Sequence, residues 1–451
     1  MKKILLSAVT APIRLSLLAS VLVLSATASD DLAGAFKEGK VSGQIRAFYI
    51  NRDYSGASTV QRDGVTLGGY LKYETDSLYG FSVGAAFYTT NKLDSKSSTA
   101  TENDLTLFGS NGENETYLGE AYLQYKYGNT AFKTGRQKLD TPLAGLDDAR
   151  MLPSLFEAYV LSNTDIKDTT LIAAHVTKFA AGTFANGYNY TTGTGNVLAL
   201  TAGYSGGAGA TKYVGQFTDM GTYAIGHDTK GVSVAAAIYS GIPGLKLQLW
   251  DYYAYDILNA VYAEANYGWS IGSVAPYLAA QYIKEDDVGS SYATKVNSDF
   301  MAAKAGVKVA NFDIYVAVSH NSKDSSAAIN GGTITPWGGM PAYTQGMVTR
   351  HQFMAGTDAW KVAGSYNWKD MGTNLNTGVY YTSFDMDTLN GYSANHAWTA
   401  TEAGFDVIYS PEAVKNLQLR LRGNFPRDFK ETAADGGTSW DEYRVIANYN
   451  F

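Results

Sequence analysis

The chain has 451 residues, a formal net charge of −7, a mean hydropathy of −0.16 and no cysteine. The absence of cysteine excludes disulfide bonds and thiolate–metal sites, and the acidic balance argues against nucleic acid as a partner. Beyond residue 28 no apolar run is long enough to form a transmembrane helix.

Residues 1–28 have the three-part layout of a secretory signal peptide. An apolar run over 15–24 is followed by the small residues of 26–28. The basic residues of this segment are Lys2, Lys3 and Arg14. The apolar run is too short to cross a bilayer as an anchor helix. We therefore predict that residues 1–28 are removed during export, which leaves a net charge of −10 on residues 29–451.

The rest of the chain reads as one large β domain. It contains 34 Tyr, 47 Gly and only 9 Pro, and no linker or composition break divides it into the two or three soluble domains that its length would allow. Apolar and polar residues alternate, as strands require when successive side chains point to opposite faces. This alternation is found over 65–74, 81–90, 117–127, 312–320, 359–368, 401–410 and 417–425.

Aromatic clusters near the ends of these segments bear on the kind of β architecture. Alternation alone also occurs in soluble β-sandwiches. A closed membrane barrel, however, carries a girdle of aromatic residues at each interface. The clusters are Tyr125/Tyr127, Trp250/Tyr252/Tyr253, Tyr267/Trp269 and Tyr366/Trp368. They favour the barrel.

The connections alternate in length, as expected of a barrel with short periplasmic turns and long extracellular loops. Tight turns are predicted at 76–80, 127–130, 164–168, 205–209, 241–244, 369–373 and 411–416. Long polar loops are predicted at 91–114, 179–195, 320–356, 386–399 and 426–439. Counted one by one, the segments give twenty candidate strands. Two of them, within 196–219, are rich in small residues and are alternatively a hairpin inside an outer loop.

The last strand ends on Phe451, although chain termini usually fray in water. Alternate residues from Tyr443 to Phe451 are apolar or aromatic, whereas most of those between them are polar. In a closed barrel the last strand pairs with the first. We therefore predict that this apolar face contacts lipid up to the final residue.

A resemblance to a known family sharpens this interpretation. Residues 135–161, GRQKLDTPLAGLDDARMLPSLFEAYVL, resemble the inward-folded third loop and the return strand of the OprD family of outer-membrane porins. The Arg-to-Pro step at 150–153 is similar to one in that family. The segments 359–384 and 416–451 resemble an earlier strand pair and the final hairpin of the family.

The resemblance extends over essentially all of residues 29–451. It implies an all-β, antiparallel transmembrane barrel of about eighteen strands in the bacterial outer membrane, with 196–219 treated as a loop hairpin. The terminal aromatic residues Tyr449 and Phe451 also resemble the signal by which outer-membrane barrels are recognised for assembly.

The third-loop segment, 137–154, is implied by the resemblance to fold inward and to constrict the pore. Its Pro and Gly residues keep it from continuing a strand. Charged residues of both signs lie in or beside it, namely Arg136, Lys138, Asp140, Asp147, Asp148 and Arg150. A loop of mixed charge in a lumen selects solutes by charge and dipole. The alternative is an exposed turn whose charges face water.

Four arginines are predicted to line one sector of the wall, namely Arg46, Arg420, Arg422 and Arg444. If Leu419 and Leu421 face lipid, the two arginines that alternate with them face the lumen. Arginine keeps its charge and binds carboxylates in a two-point geometry. We expect a porin for passive diffusion of small hydrophilic solutes and ions that favours carboxylate-bearing solutes or amino acids. If the charges are merely solvated, it is a general diffusion pore.

Catalysis has little support in the sequence. Ser319, His320 and Asn321 are consecutive on a strand and point to opposite faces, so they do not form one catalytic cluster. The acidic run at 285–287 lacks EF-hand spacing. We predict no catalytic residue, no metal and no cofactor.

The expected partners are the lipid bilayer, the barrel-assembly machinery and small hydrophilic solutes, and both a monomer and a homo-oligomer remain open. The competing function is a surface or adhesive protein whose barrel anchors loops such as 320–356.

Overall fold

The computed structural model describes residues 29, 31–57, 59–93, 102–187, 213–393, 395–434 and 436–451. The predicted signal peptide, residues 1–28, lies outside the described residues. So do the predicted turn at 205–209 and most of the predicted loop hairpin at 196–219. In the described ranges almost all regular structure is β-strand.

Two helices of one to two turns accompany the strands, α1 (Leu32–Lys37) before the first strand and α2 (Met220–Ile225) in a loop. The strands are β1 (Lys40–Gly56), β2 (Gln61–Glu74), β3 (Phe81–Lys92), β4 (Glu115–Tyr127), β5 (Thr130–Gln137), β6 (Leu155–Asn163), β7 (Thr169–Ala180), β8 (Thr218–Asp219), β9 (Val232–Tyr239), β10 (Leu245–Ala254), β11 (Leu258–Gly268), β12 (Val274–Asp287), β13 (Asn297–Val309), β14 (Phe312–Asn321), β15 (Asp358–Asn367), β16 (Leu375–Met386), β17 (Trp398–Tyr409), β18 (Leu417–Arg427) and β19 (Thr438–Asn450).

The strands form a closed antiparallel barrel. Apart from β8, each strand pairs with the strands next to it in the sequence, β1 pairs with β19, and β7 pairs with β9. Among the described residues, the two-residue strand β8 pairs only with β7 and stands outside the ring. The barrel therefore has eighteen strands with one extra short strand, which confirms the predicted number. Closure leaves no unpaired sheet edge, and this is what a strand-based structure needs in lipid.

The two faces of the wall show the reverse of the burial expected in a soluble protein. On β3 the side chains of Phe81, Val83 and Phe87 are 48%, 42% and 56% exposed on the outside, whereas Ser82 and Tyr88 are buried inside. A soluble sandwich would bury the apolar face instead. The outer apolar band is the surface that contacts lipid.

The last strand is held to the first up to the final residue. The N–H of Gly43 donates to the carbonyl of Phe451 at 2.9 Å, and the N–H of Phe451 donates back to Gly43 at 3.1 Å. A Cβ atom on Gly43 would lie 2.6 Å from the Phe451 ring, so glycine leaves the space that this ring occupies. The rings of Tyr449 and Phe451 are both exposed on the outer face. The chain end is thus part of the wall, and its apolar face points outward as predicted.

The connections at one end of the barrel are uniformly short. They are 75–80, 128–129, 164–168, 240–244, 269–273, 310–311, 368–374 and 410–416. The other end carries the long connections 93–114, 138–154, 181–231, 322–357, 387–397 and 428–437. In a bacterial membrane barrel the short turns face the periplasm and the long loops face the exterior.

The aromatic residues divide between girdle and interior. Tyr127, Tyr267 and Phe312 are exposed at the short-turn end, as a girdle requires. Trp250 and Tyr252 were predicted as girdle residues, and this is wrong. Both lie on inward positions of β10 and are only 3% and 2% exposed, because they pack in an interior apolar cluster.

Candidate pore constriction

The segment 138–154 joins β5 to β6, and its apolar side chains pack against side chains on the inner face of the wall. Met151 and Leu152 are buried in one cluster with Phe48 of β1 and Ile446 of β19. Phe48 and Ile446 are directly opposite each other in the register of these two strands. This packing holds the second half of the segment against the place where the barrel closes.

The first half of the segment packs against the other side of the interior. Leu139 and Leu143 are each 3% exposed and belong to the cluster that contains Trp250 and Tyr252. The backbone N–H of Leu143 donates to the Tyr252 hydroxyl at 3.4 Å. The segment therefore reaches from the β10 wall to the β1–β19 wall.

Arg46 ties the segment to β1. Its guanidinium makes a two-point contact with the Asp148 carboxylate, at 2.7 and 3.1 Å. It also donates to the backbone carbonyl of Arg150 at 2.5 Å and to the side-chain oxygen of Asn448 at 2.9 Å. Because all three nitrogens of this guanidinium donate hydrogen bonds within the protein, we assign Arg46 the role of positioning the segment.

Arg150 enters a buried charged cluster around Glu442. The carboxylate of Glu442 lies 3.2 Å from Arg150, 2.8 Å from Arg52 and 2.5 Å from Arg444, and each of these side chains is at most 1% exposed. Asp104, in the 93–114 connection, completes the cluster at 3.1 Å from Arg52. Burial lowers the pKa of Arg150 to about 10, with Arg444 acting in the same direction and Glu442 opposing both. The cluster joins two loops to the closing strands.

A second long connection, 322–357, meets the first. The N–H of Gly145 donates to the carbonyl of Trp337 at 3.0 Å. Arg350 holds Asp147 through two hydrogen bonds, at 2.7 and 3.1 Å. Because these two residues are only 5% and 16% exposed, the pair is shielded from water. The two connections thus form one layer.

Glu402 on β17 anchors the second connection to the wall. Its carboxylate accepts hydrogen bonds from the backbone N–H groups of Met347 at 2.6 Å, Val348 at 3.3 Å and Thr349 at 2.7 Å. The Thr349 hydroxyl adds a further hydrogen bond at 2.6 Å. This buried carboxylate therefore fixes the backbone of 347–349, and sequence reasoning did not identify it.

On β17 and β18, two arginines share one carboxylate. Arg420 contacts Asp406 through both Nε, at 2.7 Å, and Nη2. Arg422 approaches the same carboxylate only to 3.5 Å. The side chains of Arg420, Arg422 and Asp406 are 25%, 18% and 21% exposed, although all three point to the inner side of the wall. This sector carries an excess positive charge that solvent inside the barrel reaches.

Lys138 and Arg136 lie at the base of the first connection, beside aromatic rings. The ammonium of Lys138 is 4.1 Å from the centre of the Tyr70 ring, and the Arg136 guanidinium is 4.3 Å from that of Phe217. Arg136 is also 3.8 Å from Glu157. Cation–π contacts of this kind hold a charge in place without neutralising it.

The structure places the predicted wall arginines on three consecutive strands. Arg46 lies on β1, Arg444 on β19, and Arg420 and Arg422 on β18. Arg422 and Arg444 are opposite each other in register. Arg444 is buried in the Glu442 cluster, however, so the partly exposed charges of the sector are Arg420 and Arg422. In the first connection Asp147 and Asp148 each meet an arginine, while Asp140 is half-buried.

The other sequence candidates are also placed. Ser319 and Asn321 are buried on the inner face of β14, whereas His320 points outward and lies 2.8 Å from Asp358, so the three do not converge. Glu285 is buried and accepts a hydrogen bond from the N–H of Ile334 at 2.8 Å. Within the described ranges no group of three or more His, Asp or Glu side chains is arranged to hold a metal ion. No helix of these ranges is long and apolar enough to cross a membrane.

Comparison with solved structures identifies the architecture. The chain is similar to OpdK of Pseudomonas aeruginosa crystallised with vanillate, at 18% identity and a TM-score of 0.73 over 93% of this chain and 100% of that one. It is also similar to OpdF of the same organism in complex with glucuronate, at 16% identity and a TM-score of 0.67 over 93% and 99%. A third neighbour is OprE, at 18% identity and 0.69 over 93% and 99%.

Sequence comparison identifies the family. No curated protein matches the chain. The model of the outer membrane porin, OprD family, matches residues 33–451. Because this match spans nearly the whole chain and the closed barrel agrees with it, the protein belongs to the OprD family of outer-membrane porins.

Proposed function

We propose that this porin favours small solutes that carry a carboxylate. The observation that supports this is the excess charge at Asp406, where two partly exposed arginines share one carboxylate. Arg420 is satisfied by the two-point contact, whereas Arg422 lies beyond hydrogen-bond distance from the same group. A solute carboxylate supplies the oxygen pair that the planar guanidinium fork prefers.

We infer that the 137–154 segment, together with 322–357, sets the narrowest part of the passage. An eighteen-stranded barrel is wide enough to leave an aqueous channel unless something occupies it. The packing of the first segment against two sides of the inner wall and its contacts with the second support this role. The Asp148 carboxylate, paired with Arg46 through both of its oxygens, then fastens this constriction to β1.

The ligands of two neighbours agree with this preference. OpdK was crystallised with vanillate and OpdF with glucuronate, and both molecules carry one carboxylate. At 16–18% identity these neighbours establish the fold of this chain, and the solute class rests on the arginine sector. The alternative function, a barrel that anchors adhesive surface loops, is less well supported. Trp337, Val348 and Phe353 of the long connection 322–357 are buried and are not available to a partner.

The test is ion selectivity in planar bilayers. Arg420→Gln and Arg422→Gln, combined in one variant, remove both partly exposed charges, and we expect the reversal potential in a salt gradient to move toward cation preference. Arg427→Gln is the matched control, because Arg427 is on the same strand but 47% exposed and paired with Asp441 outside the lumen. An unchanged reversal potential in the double variant would show that these arginines do not face the ion path.

A further inference from the structure

The short helix α1 is fastened to the periplasmic end of the barrel. Its N-terminal turn is capped by the Asp31 carboxylate, which accepts from the N–H of Gly34 at 2.6 Å. The carbonyl of Ala35 accepts from the N–H of Asp76 in the β2–β3 turn at 2.9 Å, and Ala35 itself is 2% exposed. A six-residue helix is not stable in isolation. Its position is therefore set by the barrel.

Beside the buried Ala35, α1 carries two large apolar side chains that are exposed. Leu32 and Phe36 are four positions apart and so lie on one face of the helix. They are 64% and 51% exposed. Facing water, this pair would form an exposed apolar patch on a helix whose position the barrel fixes.

This face continues the lipid-contacting wall. The Phe36 ring stacks on Tyr73 of β2 with centroids 6.4 Å apart, and the Tyr73 hydroxyl donates to the Phe36 carbonyl. Tyr73 is opposite Val41 in the β1–β2 register, so the two share a face. Val41 is 60% exposed on the outside of the barrel. A continuous apolar surface thus runs from the outer wall onto α1.

We propose that α1 is an interfacial helix whose Leu32 and Phe36 insert into the phospholipid of the periplasmic leaflet, at the boundary between head groups and acyl chains. The continuity with the outer wall identifies lipid as the occupant, because the membrane already covers the neighbouring Val41. A short amphipathic segment of this kind lies in the plane of the interface. It fixes the depth at which β1 enters the membrane.

The experiment is site-directed spin labelling of the full barrel in phospholipid vesicles. The chain has no native cysteine, so Leu32→Cys and Phe36→Cys each give one label. Val41→Cys provides the lipid-facing reference, and Glu38→Cys, on an exposed polar position of the same segment, provides the aqueous reference. Heat-modifiable migration on gels selects the folded fraction of every variant.

For the labels at 32 and 36 we expect a ratio of oxygen to nickel-chelate accessibility that is higher than that of the label at 38 and approaches that of the label at 41. A ratio equal to that of the label at 38 would place α1 in water and overturn the proposal. Low accessibility to both oxygen and the nickel chelate would indicate that α1 contacts protein, either a second copy or another chain. That result would also overturn the proposal.

Discussion

Glu442→Gln should destabilise the barrel strongly, because it removes the one carboxylate that three buried arginines share. The substitution leaves the size of the side chain almost unchanged. It also retains an oxygen that can accept from the Trp440 indole N–H, whose nitrogen lies 3.2 Å from Oε2 of Glu442. Arg52, Arg150 and Arg444 would then be left with Asp104 as the remaining carboxylate of the cluster.

The size of the effect follows from burial. Removing one partner of a buried ion pair costs about 3–5 kcal/mol, because an uncompensated charge remains away from water. Asp441→Asn is the matched control at the adjacent position. Its pair with Arg427 is 46–47% exposed, and exposed pairs contribute about 0–1 kcal/mol.

The assay is urea-induced unfolding in lipid vesicles, followed by tryptophan fluorescence and by heat-modifiable migration. We expect the free energy of unfolding to fall by several kcal/mol more for Glu442→Gln than for Asp441→Asn. Single-channel conductance of the surviving barrels should also rise and become noisier, since Arg150 no longer holds the 138–154 segment. Equal unfolding free energies for the two variants would refute the role assigned to Glu442.

Three further predictions concern the loops and the chain end. Deleting 141–149 should raise single-channel conductance and blunt selectivity, whereas unchanged conductance in a folded barrel would move the constriction to 322–357 alone. Changing Phe451 to Asp should lower the yield of heat-modifiable barrel more than the conductance per pore, because it puts a charge on the outer face. A normal yield would contradict the importance of the apolar Phe451 ring on that face. Burial lowers the pKa of His351 to about 4. Since the unfolded chain takes up this proton near pH 6.5, stability should fall as the pH drops from about 6.5 to about 4, by up to about 3 kcal/mol. His351→Gln, which retains a donor for the Phe429 carbonyl, should make the urea midpoint of unfolding less dependent on pH over that window. An equal pH dependence in both proteins would show that His351 is not its cause.

The direction of each side chain on a strand was predictable from the sequence. Strand geometry repeats every two residues, so Leu419 and Leu421 on the outside place Arg420 and Arg422 on the inside without knowledge of any other strand. The same local rule predicted the outward face of the last strand, whereas the choice of a membrane barrel over a soluble sandwich also needed the loop lengths and the family resemblance. Aromatic identity was less informative, since Trp250 and Tyr252 serve the interior rather than the girdle.

What the charges contact was decided by the tertiary structure. Glu442 and Arg444 are two positions apart and visibly share a face, but Arg52 and Arg150 reach Glu442 only because the barrel closes and because a loop folds onto the closing strands. The anchoring of 347–349 by Glu402 joins residues more than fifty positions apart. Alternation is a local property of the backbone, whereas register, closure and loop packing depend on contacts between distant segments. For this reason the sequence determined the faces of the strands, and the inward fold of 137–154 was expected only from the family resemblance. The contacts that join this segment to 322–357 and to the closing strands emerged only from the folded chain.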